Sequence, residues 1–164
     1  MQISVRQDSL LIFFADSPAL LFKHGQIRET GSFDLDDLKG FDLANKTLGV
    51  IGTGNIGKEV IRIAKGFAMK ILAYDVRPDN QFSAEFGFSY VDLDMLLGFS
   101  DVVTLHVPYL PSTHHLLNKE NFAKIKKGAL LINTARGGLV DTNALVEALH
   151  TGRLGGAGLD VLEE

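Results

Sequence analysis

Glycines at 52, 54 and 57, set between an apolar run and a helical period, constrain this chain more than any other feature. The stretch reads TLGVIGTGNIGKEV. Its first part is apolar and β-branched and ends on glycine, the pattern of a buried strand. Val60, Ile61, Ile63, Ala64 and Phe67 then recur at a helical spacing. A second strand-like run, KILAYD, closes on Asp75, eighteen residues past Gly57. Strand, glycine turn, helix and a second strand ending in an acid make a βαβ unit suited to a dinucleotide. Gly52 permits the tight turn, Gly54 lets the backbone approach a pyrophosphate, and Gly57 lets helix and strand pack closely. The helix start offers free N–H groups to the anion. Asp75 is expected to accept both adenosine ribose hydroxyls. Its charge repels a 2′-phosphate, which favours NAD over NADP, and Arg77 two residues later opposes that preference.

The rest of the chain continues the alternation. VDLDMLLGFS reads as a short helix with Gly98 near its end, and DVVTLHVP as a strand stopped by Pro108. NKENFAKIKKG reads as a helix closing on Gly128, with lysines in its last turn as the helix dipole favours. ALLINT is a strand. DTNALVEALHTG is a helix with Asp141 as N-cap and Gly152 just past its end. GGAGLDV is a last strand. Strands alternating with helices predict an α/β fold: a Rossmann-type, doubly wound parallel sheet with helices on both faces. Residues 46–164 are assigned to this domain. Residues 1–45 are expected to form an N-terminal arm of one or two short helices and a polar connector, ETGSFDLDDLKGFDLANK.

Composition removes several classes of function. A net charge of −4 argues against a nucleic-acid partner, which needs a basic face. The chain has no cysteine, which excludes disulfides and thiolate metal sites and fits a reducing, cytoplasmic setting. No metal site is assigned. No stretch approaches the roughly 18 to 20 apolar residues that span a bilayer. SLLIFFADSPA follows Arg6 and imitates a short secretory segment, but Asp8 and Asp16 flank its apolar run, so packed structure is the better reading.

LLINTARGGLVD places a permanent cation, Arg136, just past a buried strand. In a parallel sheet, ligands sit outside the carboxyl ends of the strands. The glycine loop, HVP, TARGG and Asp160 should therefore face one crevice. A planar guanidinium suits a carboxylate, or a carbonyl oxygen gathering charge during reduction. Gly137 and Gly138 are expected to keep side chains away from whatever Arg136 holds. The bland alternative is an arginine that caps a strand end or pairs with an acid.

The wording of these pieces tips the balance. GTGNIGKEV, AYD, DVVTLHVPYLPSTHHLLN, INTARGGLVDTNALVEAL and GAGLDVLEE closely resemble the NAD-binding domain of D-isomer-specific 2-hydroxyacid dehydrogenases, from about residue 27 to the end. FDLDDLKGFDL, YVDLDMLL and DTNALVEAL look most like the D-lactate dehydrogenase branch; YLPST, with Leu110, is nearer the phosphoglycerate dehydrogenase wording. The resemblance implies NAD as cofactor and a small 2-hydroxy or 2-keto acid as substrate. It implies that Asn55 and Ile56 lie at the pyrophosphate and that Asp75 holds the ribose. Val107 and Pro108 would line the cleft, with Thr113 nearby. Thr134 and Ala135 would present backbone near the nicotinamide, and Asp160 would orient its carboxamide. Arg136 would bind the substrate carboxylate and polarise the C2 oxygen, as both catalytic and binding residue.

The resemblance also implies a proton-transferring His and a Glu beside it. The Glu would fall at position 165 and the His later, so the chain is expected to be the cofactor-binding part of a larger enzyme, inactive alone. His106 is the first stand-in to consider. His114 and His115 read as solvated loop residues, and His24 and His150 as helix-end residues. Glu163 and Glu164 are read as the acids preceding that Glu. A homodimer covering the apolar residues of 10–22 is expected. Two other readings stay open: an NAD(H)-sensing binding module or corepressor-like protein without turnover, and a homocysteine-forming hydrolase using bound NAD, against which TARGG argues.

Overall fold

Strand β1 (Thr47–Ile51) is buried from Leu48 onward. A strand apolar on both faces needs cover on both sides, and β1 receives it. Gly57, in helix α1 (Asn55–Gly66), lies against Val50, whereas Gly49 lies against Leu96 and Ser100 of the segment around helix α3 (Leu93–Phe99). Successive strand residues point to opposite faces, so α1 and α3 cover opposite sides of the sheet. The computed structural model describes residues 42–163. The expectations for the arm at 1–41, for its apolar residues 10–22 and for His24 lie outside the described residues, as does Glu164. Leu43–Glu164 forms a compact unit of its own.

The remaining elements among the described residues are β2 (Lys70–Tyr74), α2 (Asn80–Phe86), β3 (Ser89–Tyr90), β4 (Val102–Leu105), α4 (Lys119–Lys124), β5 (Ala129–Asn133), a 3₁₀ turn (Gly137–Leu139), α5 (Thr142–His150) and β6 (Leu154–Leu159). Among the described residues six strands form one sheet in the order β3-β2-β1-β4-β5-β6, every pairing parallel. The predicted doubly wound architecture is what forms. The order reverses between β1 and β4, where ligands bind in folds of this kind. Leu48, Val50, Ile51, Val102, Val103, Leu105 and Leu131 fill the centre of the core.

Several boundaries differ from expectation. The stretch 76–90, given no element in the sequence reading, contains α2 and the two-residue β3. Alternating polar and aromatic residues there mask a single helical turn pair, which Asp79 caps by accepting from Phe82 N–H. The helix expected to close on Gly128 stops at Lys124. The next residue, Ile125, turns extended and buries its side chain, while Lys126 N–H donates to Leu97 O at 2.9 Å. Gly128, at φ +80, serves the turn into β5 instead. Strand β4 ends at Leu105, before Pro108 can stop it. Asp141 caps α5 as expected, accepting from Asn143 and Ala144 N–H, and Gly152 follows its C-cap in the left-handed region at φ +66.

Candidate functional site

The glycine loop is built against its neighbours rather than hung from them. Gly52 has φ +94, and a Cβ there would lie 2.7 Å from the carbonyl carbon and oxygen of His106. The loop after β1 thus touches the segment after β4, and His106 N–H donates to Ile51 O at 2.7 Å. A Cβ on Gly57 would come within 2.0 Å of Gly52 O. Gly54 is different: a Cβ there would meet nothing within 4 Å. It N-caps α1 with no side-chain cap bond on the first N–H groups of the helix. Asn55 and Ile56 follow it on the exposed first turn. Among the described residues no packing contact accounts for glycine at 54, and the space beside it is open to a ligand.

Asp75 stands directly after β2. Its Oδ2 accepts from Thr53 N–H at 2.6 Å and from the Thr53 hydroxyl at 3.0 Å, and its Oδ1 accepts from Arg77 N–H at 2.9 Å. Burial alone raises its pKa. The bonds from Thr53 and Arg77, with the charge of Arg77, outweigh that and hold the carboxyl below its ordinary value. A carboxylate oxygen offers about two lone-pair directions. Oδ2 is filled and Oδ1 has one left, so the expected grip on both ribose hydroxyls narrows to one free acceptor in this arrangement.

Val107 and Pro108 follow β4 on the same edge, and Val107 packs over Gly52. Thr113 is spent on its own turn: its hydroxyl accepts from Leu110 N–H and donates to Pro108 O, both at 2.8 Å. Asn133, buried at the end of β5, was not singled out by sequence reasoning. Its side chain accepts from Ala135 N–H at 3.1 Å and donates to Arg136 O at 2.8 Å, and its carbonyl accepts from Asp160 N–H at 3.0 Å. Through its side-chain amide and its backbone carbonyl, Asn133 therefore ties Ala135 and Arg136 to Asp160. A lone polar residue closing the apolar run ALLIN was the available signal.

Arg136 is exposed, and its Nη1 donates to Ala135 O at 2.6 Å. Among the described residues no carboxylate lies within ion-pair range of it, so the reading of Arg136 as an acid's partner finds no support there. The glycines behind it do other work than expected. A Cβ on Gly137 would lie 2.2 Å from the Leu162 carbonyl, and one on Gly138 would lie 2.7 Å from the Tyr109 ring. They admit neighbouring chain, which is a packing requirement the sequence could not reveal.

The histidines also part company. His106 is pushed down to about pKa 4 by burial, and its Nε2 lies 3.0 Å from the Thr104 hydroxyl. A group neutral throughout the physiological range is a poor proton donor, which weighs against His106 as the proton-transferring residue. His114 and His115 are not simply solvated. His115 Nε2 lies 2.7 Å from Glu163 Oε2, His115 N–H donates to Gly138 O at 2.8 Å, and Tyr109 Oη lies 3.1 Å from His114 Nδ1. His114, His115 and Glu163 bring three possible ligand atoms within 4.8 Å of one another. The two imidazole rings, however, are stacked with centroids 3.8 Å apart and planes 24° from parallel. An imidazole lone pair lies in the ring plane, so two such rings do not converge on one ion. The group reads as a clamp holding the loop behind Arg136.

Comparison with known proteins fits this geometry. The family model described as D-isomer specific 2-hydroxyacid dehydrogenase, NAD binding domain, matches residues 19–164. The chain is 47% identical over 140 residues to a D-lactate dehydrogenase of Curvularia clavata, covering 85% of this chain and 39% of that protein. It is 48% identical over 134 residues to a hydroxypyruvate reductase of Thermotoga maritima, covering 81% and 42%. The D-lactate dehydrogenase of Aquifex aeolicus, solved with NAD and lactic acid, superposes with a TM-score of 0.88 at 40% identity, covering 98% of this chain and 48% of that one. The chain thus spans about two fifths of the length of the curated relatives it matches.

Proposed function

Because the chain belongs to the D-isomer specific 2-hydroxyacid dehydrogenase family through its NAD-binding domain, we propose that it holds NAD(H) along the carboxyl edge of its sheet and serves an enzyme that interconverts a D-2-hydroxy acid and its 2-keto acid. The observation that carries this reading is the open space at Gly54, facing the uncapped start of α1, on the edge where Asp75 and Arg136 also stand. The backbone N–H groups of Asn55, Ile56 and Gly57 would take the pyrophosphate. Asp75 would accept a ribose hydroxyl and repel a 2′-phosphate. Val107 and Pro108 would wall the cleft, and Thr113 would shape the turn beside it. Thr134, Ala135 and Asp160, fixed by Asn133, would border the nicotinamide. That ring supplies the hydride when bound. Arg136 would fork onto the substrate carboxylate and draw charge from the C2 oxygen, for which its permanent, planar cation is suited.

Calorimetric titration with NADH and NADPH tests the cofactor half. Tighter binding of NADH is expected, and equal affinities would remove the argument from Asp75. Asp75→Ala should weaken NADH binding by about 1–3 kcal/mol, the scale of lost hydrogen bonds to a charged group. The catalytic half is tested in the whole protein. Arg136→Ala should abolish most reduction of a 2-keto acid, and Arg136→Lys should recover little, because a point charge lacks the two-pronged grip.

The same reading takes a small 2-keto acid as partner, with neither nucleic acid nor membrane, in the cytoplasm. Residues 46–164 would be the cofactor domain and 1–45 an arm that contributes to a homodimer. Light scattering that finds a monomer at micromolar concentration would count against the dimer. Among the described residues no helix is long and apolar enough to cross a membrane.

A further inference from the structure

Tyr90, the last residue of β3, stands apart from every residue given a role above. Its phenol lies 2.9 Å from the Thr53 hydroxyl oxygen and accepts from Asp79 N–H at 3.1 Å. The direction of the first bond follows by counting protons. Thr53 has one hydroxyl proton, and it is spent on Asp75 Oδ2. The phenol must therefore donate to Thr53. Protons point one way along the row Asp79 N–H, Tyr90, Thr53, Asp75, and each bond polarises the next. The row is held rigidly. Tyr90 pairs in register with Ala73 of β2, and its ring packs edge-on against Phe88 at 5.3 Å. Thr53 itself is buried.

We infer that Tyr90 is a positioning residue for cofactor choice: acting through Thr53, it holds the Asp75 carboxylate in the orientation that meets a ribose hydroxyl and faces a 2′-phosphate with negative charge. The inference rests on the proposed NAD site. With Oδ2 filled by Thr53 and Oδ1 held at one lone pair by Arg77 N–H, the carboxylate has one acceptor direction left for a ligand. Without the phenol, the Thr53 hydroxyl oxygen loses the donor that fixes its position and strengthens its bond to Asp75. The carboxylate can then turn toward the Arg77 guanidinium, which both loosens the ribose contact and softens the rejection of phosphate.

The test uses the 164-residue chain with Tyr90→Phe, Thr53→Val and Thr53→Ser, titrated with NADH and NADPH by nucleotide fluorescence. Tyr90→Phe should weaken NADH binding about three- to tenfold and leave NADPH within about twofold, as loss of one buried hydrogen bond implies. Thr53→Val should do the same, and Thr53→Ser should restore the wild-type preference. Carbon-detected titration of Asp75 gives a second readout that needs no cofactor: in Tyr90→Phe its pKa should rise toward the ordinary carboxylate value. An unchanged NADH-to-NADPH ratio in folded Tyr90→Phe overturns the inference. If the wild-type chain bound neither dinucleotide, the proposed site would fail, and an Asp75 pKa unmoved by Tyr90→Phe would still overturn the relay on its own.

Discussion

Single residues of this domain differ most in how much space they are allowed. Gly54 and Gly57 sit three positions apart and answer to different constraints. A methyl group on Gly57 would drive into the Gly52 carbonyl, which is backbone and has no rotamer to escape to. Gly57→Ala should therefore destabilise the fold by about 1–3 kcal/mol or more, the scale of overpacking, as read by urea unfolding. Gly54→Ala meets open space and ordinary backbone angles, so stability should hold while dinucleotide affinity drops. A drop in stability for Gly54→Ala would assign that glycine to folding instead. His106 makes a second residue-scale statement. Folded, it protonates only near pH 4; its ordinary value is 6.5. Between those values the unfolded chain takes up a proton that the folded chain refuses. Its contribution to stability is thus complete above about pH 6.5 and is lost as the pH falls toward 4. Asp75, Asp79 and Asp101 have pKa values held below 3.8 and act at more acid pH. Urea midpoints at pH 7 and pH 5 should separate for the wild type and draw together in His106→Gln.

Elements carry their own stop and start signals, and those signals set how much could be read in advance. Asp141, Asp92 and Asn118 each cap a helix with a side-chain oxygen on a first-turn N–H. Asp141→Ala should cost about 1 kcal/mol in thermal or urea unfolding, and Asp141→Asn much less. Legibility followed the length of the periodic pattern. The twelve residues of α1 and the unbroken apolar runs of β1, β4 and β5 announced themselves. The glycine loop, Asp75 and Arg136 were legible because each follows such a run, and a parallel sheet puts all those ends on one edge. What was hidden depends on chain segments distant in sequence. Nothing near residue 137 says that Leu162 will lie on it, and nothing near residue 125 says that Leu97 will receive the next N–H. The pairing of His115 with Glu163, forty-eight residues apart, is of the same kind.

At the scale of the molecule, the parallel sheet gathers residues 52–57, 75, 106–108, 134–136 and 160 at the carboxyl ends of its strands. The 164-residue chain should bind the dinucleotide and show no measurable pyruvate or hydroxypyruvate reduction. An enclosed, oriented site and a positioned proton partner together contribute orders of magnitude in rate. Turnover at ordinary enzymatic rates by this chain, followed as loss of NADH absorbance, would show that its own residues supply the proton. The gathering has an optical side as well. The chain contains no tryptophan, and its three tyrosines are Tyr74, Tyr90 and Tyr109. The first two close β2 and β3 at their carboxyl ends, and the third lies on Gly138 beside the Arg136 loop. Every tyrosine thus stands at or beside the edge where a nucleotide would lie, with none elsewhere in the sequence to dilute the signal. The protein's intrinsic fluorescence is a reporter confined to one edge of its sheet, and a ligand arriving there would be seen without a label.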